Sequence, residues 1–374
     1  MTDTNPIGLG VIGCGMFGRF CLRAYSQMPE VRIAATADRH LPAAQAAAAE
    51  FGAVATDDPQ ALIARDDVDL VYIATPPASH HALVLAAARA RKHCLCEKPL
   101  ALSVAQADEM LAAAAEHNVL AAVNLLLRYN EVSEAVGRII ASGALGRVLS
   151  GHLTNCATDT PIPAGHWFWD TSISGGIFVE HGVHFFDLYR SWLGGGAVVS
   201  AHAETREGTE QEDRVACLVR HEDGTLVRHY HGFDQPQMLD RTDHRLVCEL
   251  GDIRVDGWIP LTVRVDAVVN DQTEPALREA FGEPWQPEVI GRYTGQAARP
   301  RSRGKERNLP RRIRVERTPH PDKLAAYADS ARRLLADQIA AVRDPDHPRV
   351  VCEENGRAAL VLAEAATRRA AAGA

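Results

Sequence analysis

Three short stretches hold side chains whose types and spacing could do chemistry. Residues 180–187, "EHGVHFFD", place Glu180, His184 and Asp187 on one stripe of a helix, with Phe178, Val179, Phe185, Phe186 and Leu188 left to pack. A histidine between two carboxylates can be held in one tautomer and kept basic, which suits proton exchange near neutral pH. The plainer alternative is a satisfied helix histidine whose neighbouring acids pair with arginines. His181 adds a second imidazole, but His-x-x-His is not the i, i+4 zinc spacing and no third ligand stands nearby, so no metal is expected. "HCLCEKPLAL" (93–102) is an apolar, strand-like run that ends in Glu97, Lys98 and Pro99. "GCGMFG" (13–18) is a GxGxxG motif.

Each glycine of that motif has a physical task. Gly13 permits a tight turn, Gly15 lets the backbone approach a pyrophosphate, and Gly18 lets the following helix pack on the strand. Phosphates would rest on free N–H groups at the helix start, those of Met16 and Phe17 among them. Asp38 ends the second strand, where a carboxylate accepts hydrogen bonds from an adenosine ribose. It favours NAD, because it would repel a 2′-phosphate. Arg39 beside it could stack on adenine or receive that phosphate, which keeps NADP as the alternative.

The elements that must position these groups follow from pattern. The first half alternates β-branched runs (7–13, 31–38, 70–76, 93–99, 119–130) with alanine-rich helical stretches (17–28, 41–52, 79–91, 103–117). This predicts a doubly wound parallel sheet. The glycine loop, Thr75-Pro76 and Glu97-Lys98-Pro99 would then sit at carboxyl ends of strands, around one ligand crevice. Ser103 and Gln106 fit a capping box for the helix that leads away. Beyond about residue 145, longer alternating segments predict a mostly antiparallel sheet with one exposed face, "HEDGTL" (221–226) being a hairpin turn. Two alanine-rich helices, 322–343 and 353–371, finish the chain. The expected divisions are a dinucleotide-binding domain (1–128), a substrate and oligomerisation domain (129–350) and a C-terminal helix (351–374) that packs back on the first.

The 374 residues carry a formal charge of −8, which gives no electrostatic case for nucleic acid or an anionic membrane. The basic run Arg299 to Arg317 reads as an exposed, solvated loop or insertion, with a specific anion or partner site as the alternative. No run of 18 apolar residues and no basic leader is present, so a soluble, cytoplasmic protein is expected. Eight scattered cysteines lack any CxxC or zinc-like pairing and read as reduced, packed thiols.

"GCGMFG", Thr75-Pro76 with His80, "EKP" and "SGGIFVEHGVHFFDL" occur in the order and spacing of the Gfo/Idh/MocA oxidoreductases, the glucose-fructose oxidoreductase and inositol dehydrogenase group, which the chain resembles over residues 7–194. The resemblance implies an α/β Rossmann domain with a doubly wound parallel sheet, and a C-terminal α+β domain with a large open, mostly antiparallel sheet. It implies NAD(P)-dependent hydride transfer to or from a hydroxyl carbon of a sugar, cyclitol or related polyol. Lys98 would touch the reacting hydroxyl and the nicotinamide ribose, with Glu97 and Pro99 lining the cofactor site. Thr75, Pro76 and His80 would lie beneath ribose and nicotinamide. Asn124 and Arg128 would face nicotinamide or substrate, Arg128 being equally readable as a surface residue. His184 would exchange the proton, and Glu180, standing where the family has aspartate, would orient it or bind a neighbouring hydroxyl. Pro77 replaces the family's usual asparagine. Trp167 and Asp170 would bind the polyol, or pack between domains. A homodimer or homotetramer through the C-terminal sheet is implied as well. Two other functions stay open: a redox-neutral sugar lyase or glycosidase with transient oxidation, and a non-catalytic NAD-binding regulator. His221, His229, His231 and His244 lie on or near the polar sheet, facing substrate, solvent or another subunit.

Overall fold

Six short strands, separated by helices, pair in parallel in the computed structural model, which describes residues 5–373. The reading of the amino terminus rests partly on residues 1–4, which lie outside that range. The strands are β1 (Ile7–Ile12), β2 (Val31–Ala37), β3 (Val54–Thr56), β4 (Leu70–Ile73), β5 (His93–Cys96) and β6 (Ala121–Val123), in the order β3-β2-β1-β4-β5-β6. The helices of this part are α1 (Met16–Tyr25), α2 (Leu41–Phe51), α3 (Pro59–Ile63), α4 (His80–Arg89) and α5 (Val104–His117). The strand order reverses between β1 and β4, which marks the ligand crevice of a doubly wound sheet. β1, β4 and β5 read as unbroken apolar runs because both faces are covered.

The expected capping box closes: Gln106 N donates to Ser103 Oγ at 3.3 Å, and Leu102 N donates to Gln106 Oε1 at 3.1 Å. One expectation needs correction, and two elements were not foreseen. The strand expected over 119–130 stops at Val123, and Leu126–Tyr129 is a 3₁₀ turn. Leu125, Leu126 and Leu127 are buried all round, and such a run has no period to separate strand from turn. β3 and α3, three and five residues long, were too short to show a pattern at all.

The chain forms two compact units. The first holds this sheet with Ala164–Asp187 and Tyr327–Arg368; the second holds Asn130–Pro163, Leu188–Ala326 and the residues from Arg369 onward. Besides the sheet, the first unit includes the short helix α7 (Thr171–Ser174), the start of α8 (Val183–Leu193), and most of α10 (Lys323–Arg343) and α11 (Glu353–Ala372). α11 packs on the parallel sheet: Ala121 N donates to Glu353 Oε1 at 3.1 Å, and Arg357 pairs with Asp108.

The second unit is built on nine strands: β7 (Val148–Thr158), β8 (Gly196–Thr205), β9 (Glu212–His221), β10 (Leu226–Gln235), β11 (Arg241–Cys248), β12 (Gly251–Asp256), β13 (Thr262–Val269), β14 (Glu288–Arg292) and β17 (Arg311–Arg317). β15 (Arg301–Ser302) and β16 (Lys305–Glu306) form a separate hairpin, and α6 (Glu131–Ser142) and α9 (Thr273–Phe281) are this unit's own helices. The sheet runs β14-β17-β13-β12-β11-β7-β10-β9-β8, antiparallel except for β7 beside β10. One face is buried. On it the Tyr189 ring lies 5.0 Å from His229 and 5.9 Å from His244, and Trp192 Nε1 donates to Ser133 O of α6 at 3.0 Å. His221, His229, His231 and His244 are all buried.

The basic run is not a free loop throughout. Arg303 and Arg307 reach Glu249, Arg311 reaches Asp271 and Glu274, and Arg314 reaches Asp266. All eight cysteines are free thiols. Among the described residues no helix is long and apolar enough to cross a membrane.

Candidate functional site

The glycine loop joins β1 to α1. Gly13 has φ +99°, open to glycine at little cost, and its N–H donates to Ala37 O at 2.8 Å. A Cβ on Gly18 would come within 2.1 Å of the Gly13 carbonyl oxygen, so close packing of helix on turn demands glycine there. A Cβ on Gly15 would meet nothing within 4 Å; its hydrogen faces open space in front of the first turn of α1. Met16 projects into solvent, and the Phe17 ring packs 5.4 Å from Tyr327. That first turn carries no acidic residue to oppose an anion. Asp38 follows β2 and spans the loop, accepting from Cys14 N at 2.8 Å and from His40 N at 2.9 Å. Arg39 is exposed beside it.

The next two strand ends are tied together from inside. Thr75 Oγ1 accepts from Ser79 Oγ at 2.6 Å. His80 has no exposed surface; its ring nitrogens lie 2.7 Å from Pro99 O and 2.8 Å from Thr75 O. The side chain expected beneath the ribose is therefore beneath the backbone. Glu97, at the end of β5, is buried, and its Oε1 accepts from Tyr72 OH and from Asn124 Nδ2, both at 2.5 Å. Burial pushes its carboxyl pKa up, opposed by those two hydrogen bonds and the Lys98 charge. Tyr72 was not picked out from the sequence. Its signal is a hydroxyl amid the aliphatic run "LVYIA", which needs a partner when buried. Asn124 is fully buried, and among the described residues its Oδ1 has no hydrogen-bond donor.

The helical stretch opens differently from expectation. Gly175 and Gly176 both have φ +83°, and Phe178–Gly182 forms a π turn before α8 begins at Val183. Such a turn is wider than an α turn, so the regular helix that the stripe of Glu180, His184 and Asp187 presumed begins only at Val183. Glu180 meets Lys98 instead: Nζ donates to Glu180 Oε1 at 2.5 Å and to Glu180 O at 2.9 Å. Asp187 pairs with Arg128 through two hydrogen bonds of 2.7 Å, so that arginine is no surface residue. His184 is 2% exposed, with the His181 ring 6.3 Å away. Glycine loop, Lys98, Glu180, His184, Arg128 and Asp187 all belong to the first unit.

Trp167 packs on His166 and Phe168, while the exposed Asp170 caps α7, accepting from Ser172 N at 2.9 Å and from Ser172 Oγ at 2.6 Å. Among the described residues neither Trp167 nor Asp170 hydrogen-bonds Lys98 or Glu180.

Comparison with known proteins gives this arrangement a context. Residues 7–125 match an oxidoreductase family with an NAD-binding Rossmann fold, and residues 133–254 match the GFO/IDH/MocA C-terminal domain. Inositol 2-dehydrogenase 2 of Saccharopolyspora erythraea is 30% identical over 78% of this chain and 86% of that protein. A dTDP-3,4-didehydro-2,6-dideoxy-alpha-D-glucose 3-reductase of Actinomadura kijaniata is 32% identical, over 49% of this chain and 54% of that one. A levoglucosan dehydrogenase solved with NADH and L-sorbose shares the fold, with TM-score 0.78 and 22% identity over 98% of this chain and 97% of that one.

Proposed function

Because the chain belongs to the GFO/IDH/MocA oxidoreductase family, we propose that it transfers hydride between NAD and a hydroxyl-bearing carbon of a sugar or cyclitol. What carries this reading is the double contact of Lys98 Nζ with Glu180 in the same compact unit as His184 and the glycine loop. The cradle fits a dinucleotide: an open backbone at Gly15 and a helix start without acidic residues. Asp38 would hold the adenosine ribose and favours NAD over NADP. Gly13, Gly15, Met16, Phe17 and Gly18 would hold the phosphates, and Thr75, Pro76, Glu97 and Pro99 the backbone walls of the nicotinamide end.

When bound, the cofactor supplies the ring that accepts or returns hydride. The chain's own residues manage the proton. An ammonium has three donors, and Glu180 takes two of Lys98's, leaving one for the substrate oxygen. Lys98 thus offers a fixed positive charge to the oxygen as it becomes alkoxide-like. His184 accepts the hydroxyl proton on oxidation and returns it on reduction. Glu180 acts by holding Lys98, and the Arg128–Asp187 pair braces the helix that carries His184. Trp167 and Asp170 remain the proposed outer wall for the polyol. We also read the open face of the nine-stranded sheet as a self-association surface, testable by light scattering.

The test is a panel of sugars, cyclitols and amino sugars, assayed for NADH and NADPH formation. Lys98→Met and His184→Ala should each lower kcat by about 10²–10⁴-fold while NAD still binds. Full turnover in both variants would sink the assignment. Product without net NADH would point to redox-neutral lyase or glycosidase chemistry, and NAD binding with no turnover to a regulator.

A further inference from the structure

The ladder between β4 and β5 ends one residue too early to explain where Lys98 is held. Its last bond is Glu97 N donating to Ile73 O at 2.8 Å, and Pro99 has no N–H with which to continue. Past that point the two chain segments are joined by the His80 ring, 2.8 Å from Thr75 O on one side and 2.7 Å from Pro99 O on the other. Imidazole suits the task, because its nitrogens sit on a rigid ring and can face two carbonyls at once. A neutral ring donates to one of them, the imidazolium to both. The ring is fully buried, so it offers a cofactor no surface of its own.

We propose that His80 is a positioning residue for Lys98: its ring, fully buried between Thr75 O and Pro99 O and hydrogen-bonded to one of them when neutral, fixes the backbone from which the lysine reaches Glu180. This rests on the role given to Lys98 above, but its geometry can be tested without turnover. The chain has only four lysines, at 92, 98, 305 and 323, so the reaction of Lys98 with a water-soluble amine reagent can be followed by peptide mass spectrometry against Lys305 and Lys323 as exposed references. Lys98 itself is 16% exposed and held by Glu180, and should label slowly in the native protein.

The experiment compares native protein, His80→Leu and His80→Gln, with folding checked by circular dichroism. In His80→Leu, Lys98 should label about tenfold faster while Lys305 and Lys323 are unchanged; kcat should fall by on the order of 10²-fold with NAD affinity kept, the usual consequence of a misplaced catalytic group. His80→Gln, whose amide can still donate to a carbonyl, should recover part of both. Unchanged labelling of Lys98 in either folded variant overturns the proposal, and so does an NAD dissociation constant that rises in step with the loss of kcat, which would make His80 a cofactor contact. Were His80→Leu not to fold, the glutamine variant decides alone. Should no substrate in the panel turn over, the functional reading fails while the labelling result still judges His80.

Discussion

Asp187 and Arg128 illustrate how much a single buried charge depends on its partner. Their side chains are 2% and 12% exposed, and two short hydrogen bonds join them. Asp187→Asn leaves the guanidinium buried without its counter-charge, so urea unfolding should show a loss of about 3–5 kcal/mol. Arg128→Met together with Asp187→Leu should restore most of that stability, since an apolar pair of similar volume avoids desolvating two ions. A stable but inactive double variant would separate bracing from folding. That Glu180, His184 and Asp187 sit in one helical segment was legible from spacing, and the acids' partners were not. Both cations come from elsewhere in the chain, 82 residues from Glu180 and 59 from Asp187. The pattern also presumed a regular helix, whereas Phe178–Gly182 is a π turn.

Between β1 and α1 the three motif glycines do different work, and substitutions should separate them. Gly15→Val places a side chain where now there is open space, so it should block NAD binding while leaving the thermal midpoint almost unchanged. Gly18→Ala drives a methyl into the Gly13 carbonyl and should cost about 1–3 kcal/mol of stability even without cofactor. Equilibrium unfolding and NAD titration of both variants check the pair; equal effects on both measures would contradict it. Elements with a strong period or a marked cap were readable in advance: α2 ends at the left-handed Gly52, and α5 starts at its capping box. The 3₁₀ turn at Leu126–Tyr129 was not. It is held by Tyr129 OH donating to Asp337 Oδ2 at 2.6 Å and accepting from Val351 N at 3.1 Å, contacts more than 200 residues away.

At the scale of the whole molecule, the buried face of the nine-stranded sheet makes stability depend on pH. Burial pushes the pKa of His231 and His244 down to about 3, and that of His229 well below its usual value, with neighbouring histidines adding to the effect. Unfolded histidine takes up a proton near pH 6.5, so below that pH the unfolded state binds protons that the folded state refuses until far lower pH. Stability is therefore unaffected by these groups above about pH 6.5 and falls as pH drops toward 3. Three such residues give a limiting slope of roughly 4 kcal/mol per pH unit. The urea midpoint should decline steeply between pH 6.5 and 5, and a flat profile there would show the histidines to be accessible. Adjacent periodicities had already spelled out a parallel sheet with a glycine loop and an alternating second sheet, because each of those is a local pattern, while the roles given to Lys98 and His184 came from the family resemblance. The alternation of β10 and β11 could not say that its histidines lie on the buried face. Nor could any local pattern show that the arginines after 299 answer acids in other segments, that His80 lies under the backbone, or that Lys98 meets Glu180. Those are pairings between distant segments, and burial and electrostatics act on distance in space, which only the folded chain defines.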